Sequence, residues 1–226
     1  MPTSHFNQLQ DVVGMMVYLD PQSILDVGCG CGKYGVLARE YLELALDHGP
    51  NDPWRRRMEA IEGFGGYLTP LHKFIYDQVH VGNALEIMPK LDGPYDLVLL
   101  IDTLEHLERD AGLELLRQCR RLGRNVIVST PHRPARQGAE LGNPLEQHRS
   151  RWTRADLAPF GPALFVPHED SLIALLGQDT EMIRHTLRYQ RVRRFIRLYA
   201  PFLKFIYRRM RKSNRISPRA DVWTSS

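Results

Sequence analysis

Asp26, Gly28, Gly30 and Gly32 stand at alternate positions in the stretch SILDVGCGCGKYG, residues 23–35. Glycines there let the backbone take positive φ and let a flat, polar ligand lie against the chain with no Cβ in the way. Asp26 adds a negative charge beside that turn, which suits a cation better than a pyrophosphate. A second carboxylate, Glu62, ends the next apolar run, where nucleotide-binding sheets place a group that accepts hydrogen bonds from both ribose hydroxyls. Further along, His106 follows another apolar run, and an imidazole at such a position can take a proton from a hydroxyl.

Elements must hold these groups. Residues 23–27 read as a buried strand, and 33–47 carry apolar residues at Tyr34, Leu37, Ala38, Tyr41, Leu42 and Ala45, a helical spacing. Strand, glycine turn and helix form the first unit of a nucleotide-binding α/β sheet. A P-loop is excluded because Lys33 is followed by Tyr34 rather than Ser or Thr. Gly30, Gly32 and Gly35 satisfy GxGxxG, which leaves a dinucleotide site formally open.

The four residues Asp26, Gly28, Gly30 and Gly32 make an acid-x-Gly-x-Gly-x-Gly pattern. In this the sequence resembles the class I, Rossmann-like S-adenosylmethionine-dependent methyltransferases. The resemblance, over residues 5–177, implies S-adenosylmethionine as cofactor, with Asp26 near its methionine amino group and Glu62 on its ribose. Asn83 and Ala84, after a third short strand at 79–81, fall where such enzymes read the adenine through a side chain and the backbone. Asn83 also suits the cap of a helix beginning at Ala84. Asp102 falls at the mouth of the fourth strand, on the same side as the cofactor.

The remaining strands follow from the pattern. Residues 95–101 are the most apolar run, a central strand buried on both faces, and 125–130 form a fifth strand after an amphipathic helix at 107–122. A helix at 70–77 is capped by Thr69, and a short one at 154–158 by Thr153. Residues 163–166 and 172–176 are separated by too few residues for a crossover helix, so they must be antiparallel. The expected fold is a Rossmann-like, seven-stranded, mostly parallel sheet with a C-terminal antiparallel hairpin and helices on both faces. An N-terminal helix over 5–19 packs on that sheet and closes one side of the pocket. Residues 48–57, with two prolines and three consecutive arginines, read as a solvated surface insertion.

Methyl transfer from a sulfonium is an in-line displacement that gains most from holding the reactants in contact. A hydroxyl acceptor must also lose a proton, for which His106 is the candidate base, with Glu105 and His148 as catalytic partners. The sequence lacks the Asn/Asp-Pro-Pro-Tyr pattern that methyltransferases of planar base amines resemble. Asp102, Glu105, His106 and His148 are also similar to the ExxEH-plus-His set of small-RNA 3′-end methyltransferases and of ubiquinone-type O-methyltransferases. That similarity implies a divalent ion, although Asp replaces the first Glu. The loop 131–152 carries His132, Arg133, Arg136, Gln137, Glu146, Arg149, Arg151 and Trp152. Its length marks it as the acceptor loop, with arginines to grip phosphate or carboxylate and Trp152 offering either a flat face to a sugar or a buried anchor.

The chain of 226 residues is 43% hydrophobic, enough for one substantial core and an appendage. Two of its three cysteines lie in the glycine turn without metal or redox spacing, which points to a reducing compartment. No signal peptide or membrane span is visible, so the expected address is cytoplasmic, with an option on the inner face of a membrane. The whole-chain charge of +4 hides an asymmetry. From residue 184 to 219 there are 11 Arg and 2 Lys and no acid; Asp221 brings the last 43 residues to +12 and leaves the first 183 at −8. The expected division is a methyltransferase domain at 1–177 and a basic amphipathic tail at 178–226, helical and kinked or divided at Pro201. The tail suits an anionic membrane, the acidic body or a twin subunit, or an RNA backbone. The function that fits is O-directed methylation of a small molecule or a glycan or lipid-linked acceptor. The alternatives are a metal-assisted RNA methyltransferase and a cofactor-binding protein without turnover.

Overall fold

A computed structural model of the chain describes residues 4–46, 49, 52–133, 138 and 142–213. The chain divides between Ile183 and Arg184 into two compact units. The first contains seven strands: β1 (Ser23–Val27), β2 (Arg57–Glu62), β3 (Gln78–Val81), β4 (Tyr95–Ile101), β5 (Gly123–Pro131), β6 (Ala163–Val166) and β7 (Ser171–Gly177). They form one sheet in the order β3-β2-β1-β4-β5-β7-β6. The first five are parallel, and β7 is antiparallel to both β5 and β6. This is the expected architecture, with strand ends moved by one or two residues.

Among the described residues there are seven α-helices, six of them wholly in the first unit: α1 (Leu9–Leu19), α2 (Lys33–Leu42), α3 (Pro70–Ile75), α4 (Ala84–Ile87), α5 (Arg109–Leu122), α6 (Arg154–Leu157) and α7 (Thr180–Ser213). Residues of the same parity share a face of a strand. Leu25, Val27, Val98, Leu100, Val126 and Val128 join Leu115, Leu116, Cys119 and Leu122 of α5 in one core cluster. Ile24, Leu97, Leu99, Ile127 and Leu175, which the pleat turns the other way, are equally buried. Burial of both faces is what makes the central strands read as unbroken apolar runs.

Three local expectations are corrected. The segment before β2 is not simply solvated charge, because Arg56 is buried. Its guanidinium donates to the carbonyls of Leu42 at 3.1 Å and Pro21 at 2.6 Å and to Asp20 Oδ1 at 2.7 Å. Carbonyls at a helix end have no partner within the helix, and arginine's forked donors supply them. Second, α5 begins at Arg109, while Leu104–His106 form a separate 3-10 turn. Third, Pro201 does not divide α7, whose helical assignment is continuous from Thr180 to Ser213. Proline forfeits one intrahelical hydrogen bond, which a long helix can sustain. The charged residues after Ser213, including Arg215, Arg219 and Asp221, lie outside the described residues.

Chain direction decides where a ligand can sit. From β1 the chain steps outward to β2 and β3, then returns to lay β4 and β5 on the other side of β1. The connections after β1 and β4 therefore part in opposite directions and leave a crevice beyond their C-terminal ends.

Candidate active site

A cleft of about 1600 Å³ occupies that crevice. Pockets for one small ligand run to roughly 300–1,000 Å³, so there is room for two molecules side by side. Of the residues read from sequence as cofactor-binding or catalytic, all but Gly32 line it, namely Asp26, Gly28, Gly30, Glu62, Asn83, Ala84, Asp102, Glu105, His106 and His148. Ser4, His5 and Phe6, ahead of α1, form part of its wall, and Lys33 Nζ donates to the Ser4 carbonyl at 2.7 Å.

The glycine turn is held from several sides. Gly28, Gly30 and Gly32 all have positive φ, at 76°, 55° and 81°. A Cβ at Gly28 would lie 2.5 Å from Thr103 Oγ1, so only glycine fits between β1 and the β4 connection. Glu62 turns its carboxylate toward the turn, and Oε2 accepts from Gly30 N at 2.8 Å while Oε1 accepts from Phe64 N at 2.8 Å. Each oxygen keeps a lone pair for a further donor. Burial raises the Glu62 pKa, and the two backbone donors oppose that rise.

The carbonyl side of the same peptide is held by His72. Its Nδ1 accepts from Thr69 N at 3.1 Å, which leaves the proton on Nε2 to donate to Gly30 O at 2.9 Å. The clamp arises because Thr69 and His72 form a capping box at the start of α3. Beneath the turn, Tyr76 donates to Asp26 Oδ2 at 2.6 Å. Burial pushes the Asp26 carboxyl up to about 7, the Tyr76 bond pulls it down, and the nearby Glu62 charge raises it. Asn83 caps α4, its Oδ1 accepting from Leu85 N at 3.0 Å.

Asp102 has φ of 48°. Its carboxylate is already committed, since Oδ2 accepts from Gln8 Nε2 at 2.6 Å and Oδ1 from Ser129 Oγ at 2.9 Å. Gln8 Oε1 also faces Ser129 Oγ and competes with Asp102 Oδ1 for its single proton. Gln8, fully buried one residue before α1, thus ties the N-terminal segment to the ends of β4 and β5. Replacing Gln8 by Ala takes a donor from the Asp102 carboxylate and should destabilise the fold by about 1–3 kcal/mol. Denaturant melts of the two proteins at one pH measure it.

The four-residue metal set contracts to three. Ligand atoms of Glu105, His106 and His148 lie within 4.8 Å of one another, and Asp102 is not among them. Glu105 is 1% exposed, and its Oε2 has no hydrogen-bond partner. Burial, aided by the Asp102 charge, holds its pKa well above the ordinary carboxylate range. The Glu105 carbonyl accepts from Arg149 N at 2.7 Å and Ser150 N at 3.1 Å. These two bonds fasten the segment at 147–150 against the β4 mouth and bring the His106 and His148 rings to 5.0 Å between centroids. Burial lowers the His106 pKa below that of a free imidazole. Its Nδ1 faces the Gln147 carbonyl at 3.4 Å, so the proton resides on Nδ1 and Nε2 keeps its lone pair.

Trp152 is an anchor and not a platform for the acceptor. It is 2% exposed, lies against Gly112 of α5, carries the Arg109 guanidinium over its ring at 4.4 Å and donates from Nε1 to Ser150 Oγ at 2.9 Å. Arg133 and Arg151 line the cleft, whereas Arg149 lies 3.7 Å from Glu108. Arg136 and Gln137 lie outside the described residues. Sequence reasoning missed Gln8, His72 and Tyr76 as parts of the site, and missed the burial of the pair in which Tyr67 donates to Glu146 Oε1 at 2.9 Å.

No protein-family model matches the sequence. Several solved structures share its fold. The N-terminal domain of EvdMO1, crystallised in the presence of SAH and D-fucose, is 15% identical with a TM-score of 0.51, over 77% of this chain and 84% of that one. An O-methyltransferase family protein from Burkholderia thailandensis is 12% identical with a TM-score of 0.53, over 75% of this chain and 56% of that one. A SAM-dependent methyltransferase from Archaeoglobus fulgidus is 14% identical with a TM-score of 0.52, over 75% of this chain and 94% of that one. The chain has the class I methyltransferase fold.

Proposed function

We propose that the protein is an S-adenosylmethionine-dependent methyltransferase acting on a hydroxyl of a small molecule or of a glycan or lipid-linked acceptor. The observation that carries this reading is the pair of carboxylates at the crevice: Glu62 turned onto the Gly30 peptide, and Asp26 below the turn. Together they offer acceptors for ribose hydroxyls and a carboxylate for a cationic amino acid. The cradle at Gly28, which a Cβ would fill, and the lone pairs left on Glu62 fit the group that this fold binds in the neighbours crystallised with SAH. Bound there, S-adenosylmethionine supplies an electrophilic methyl.

The chain's own residues do the rest. Gly28, Gly30 and Glu62 bind and orient the cofactor, and Asn83 and Ala84 border the adenine end. His106, neutral with Nε2 open, accepts the proton of the acceptor hydroxyl. Arg133 and Arg151 give the remaining space a cationic lining suited to a phosphate or carboxylate on the acceptor. Following labelled methyl from the cofactor into fractionated cell extract tests this. Label in an alkali-stable ether of a small molecule, glycan or lipid supports it, and label confined to protein or nucleic acid opposes it.

One observation favours a metal-assisted variant of this reading. Glu105 Oε2, buried without a partner, shares a 4.8 Å neighbourhood with the nitrogens of His106 and His148. These three would hold a divalent ion, which would supply Lewis acidity to lower the pKa of an acceptor hydroxyl. Direct titration of Mg²⁺, Mn²⁺ and Zn²⁺ into the protein, read by shifts of the two imidazole resonances, separates this variant from the metal-free one.

A further inference from the structure

The second unit consists, among its described residues, of one helix, and that helix carries two unlike faces. From Val192 onward, Val192, Phe195, Ile196, Tyr199 and Phe202 recur at intervals of three and four, which places them along one side. All five are exposed, from 48% at Tyr199 to 59% at Phe195, and the Phe195 and Tyr199 rings lie 4.6 Å apart. Arg193 and Arg197 fall on the opposite side, and the sequence continues their row with Lys204, Arg208 and Arg211. No helix among the described residues is long and apolar enough to cross a membrane.

We propose that this helix docks the protein on an anionic lipid surface, lying in the plane of the interface with its Phe195–Phe202 side in the acyl boundary and its cations among the headgroups. Each alternative occupant uses only one of the two faces. A phosphate backbone would engage the arginines but leave Val192 and Ile196, which offer no stacking surface, in water. A second copy could cover the apolar side, but it would bring together two segments that each carry 13 cations and no acid between residues 184 and 219. The apolar band is also wider than the two-position seam of a coiled coil. A lipid interface accepts the apolar side and neutralises the basic one at once. The proposal does not depend on what reaction the first unit performs.

Co-sedimentation of the full-length protein with vesicles decides it. Phosphatidylcholine vesicles containing phosphatidylglycerol should bind the protein, and pure phosphatidylcholine vesicles should bind it at least about tenfold less. Two double variants, Ile196→Asp with Phe202→Asp and Arg193→Glu with Arg197→Glu, should each lower binding to the anionic vesicles by about tenfold or more while the melting temperature of the protein is kept. Absence of binding by the unaltered protein overturns the proposal. Binding lost in the arginine variant but kept in the apolar one, with single-stranded RNA bound under the same dependence, overturns it in favour of nucleic acid. A dimer that the apolar variant dissociates without affecting vesicle binding assigns the face to a second copy.

Discussion

Replacing His106 by Ala is expected to lower kcat by about 10²–10⁴, with little change in cofactor affinity. The imidazole stands at the mouth of β4, its Nδ1 turned to the Gln147 carbonyl and its ring 5.0 Å from that of His148. Burial disfavours the imidazolium, so the base form persists to lower pH than in a free histidine. Turnover limited by this group should therefore be flat from neutral pH upward and fall only below the ordinary imidazole range. In His106→Ala the acidic limb should disappear along with most of the rate. Single-turnover rates across pH, with cofactor binding measured in parallel, check both points. Turnover unchanged in His106→Ala and in His148→Ala would remove the pair from the mechanism.

Asp26→Asn is expected to have opposite effects on stability and on binding. The folded protein keeps the Asp26 proton up to about pH 7, whereas the unfolded chain releases it near the ordinary aspartate value of 3.8. Between those values the native state holds more protons than the unfolded one, so stability falls as pH rises through the window. Above pH 7 the buried charge costs on the order of 4 kcal/mol, at 1.36 kcal/mol per unit. Asparagine removes that cost. Without cofactor, the variant should melt about 10 °C above the unaltered protein at pH 8, at roughly 2–4 °C per kcal/mol, with the gap closing toward pH 4. Its affinity for the cationic cofactor should drop, because the charge below the turn is gone. The unaltered protein should in turn bind cofactor more weakly at pH 6 than at pH 8, and the variant should show no such slope. Melting curves and binding titrations at the two pH values decide it, and superimposable melts at pH 8 would contradict the account.

The parts of this site that could be read from sequence are those fixed by local geometry. An apolar run, three alternating glycines and an acid at the next strand's end define a crevice without knowledge of any long-range contact. The antiparallel end of the sheet followed for the same reason, since the short connection between residues 166 and 172 cannot contain a crossover. What escaped were side chains whose role is set by partners far along the chain. Gln8 meets Asp102 across 94 residues, Tyr76 meets Asp26 across 50 and Tyr67 meets Glu146 across 79. His72 was half visible, because Thr69 was recognisable as a cap while histidine in place of the usual Glu or Gln concealed the capping box. Trp152 was left open between two roles, and Arg56 was misjudged, for another reason. Both are amphipathic groups, and only the tertiary packing decides whether their flat or polar surface meets solvent or protein.

The central claim is that the crevice between the β1 turn and Glu62 holds an adenosyl amino acid. Calorimetric titration of S-adenosylhomocysteine into the full-length protein, with NADH as competitor and Glu62→Ala as comparison, tests it most directly. The account predicts one saturable site per chain that NADH does not displace. It also predicts a weakening of about tenfold or more in the variant, from the loss of charged acceptors worth roughly 1.5–3 kcal/mol each. Absence of saturable binding, displacement by NADH, or equal affinity in Glu62→Ala would contradict it.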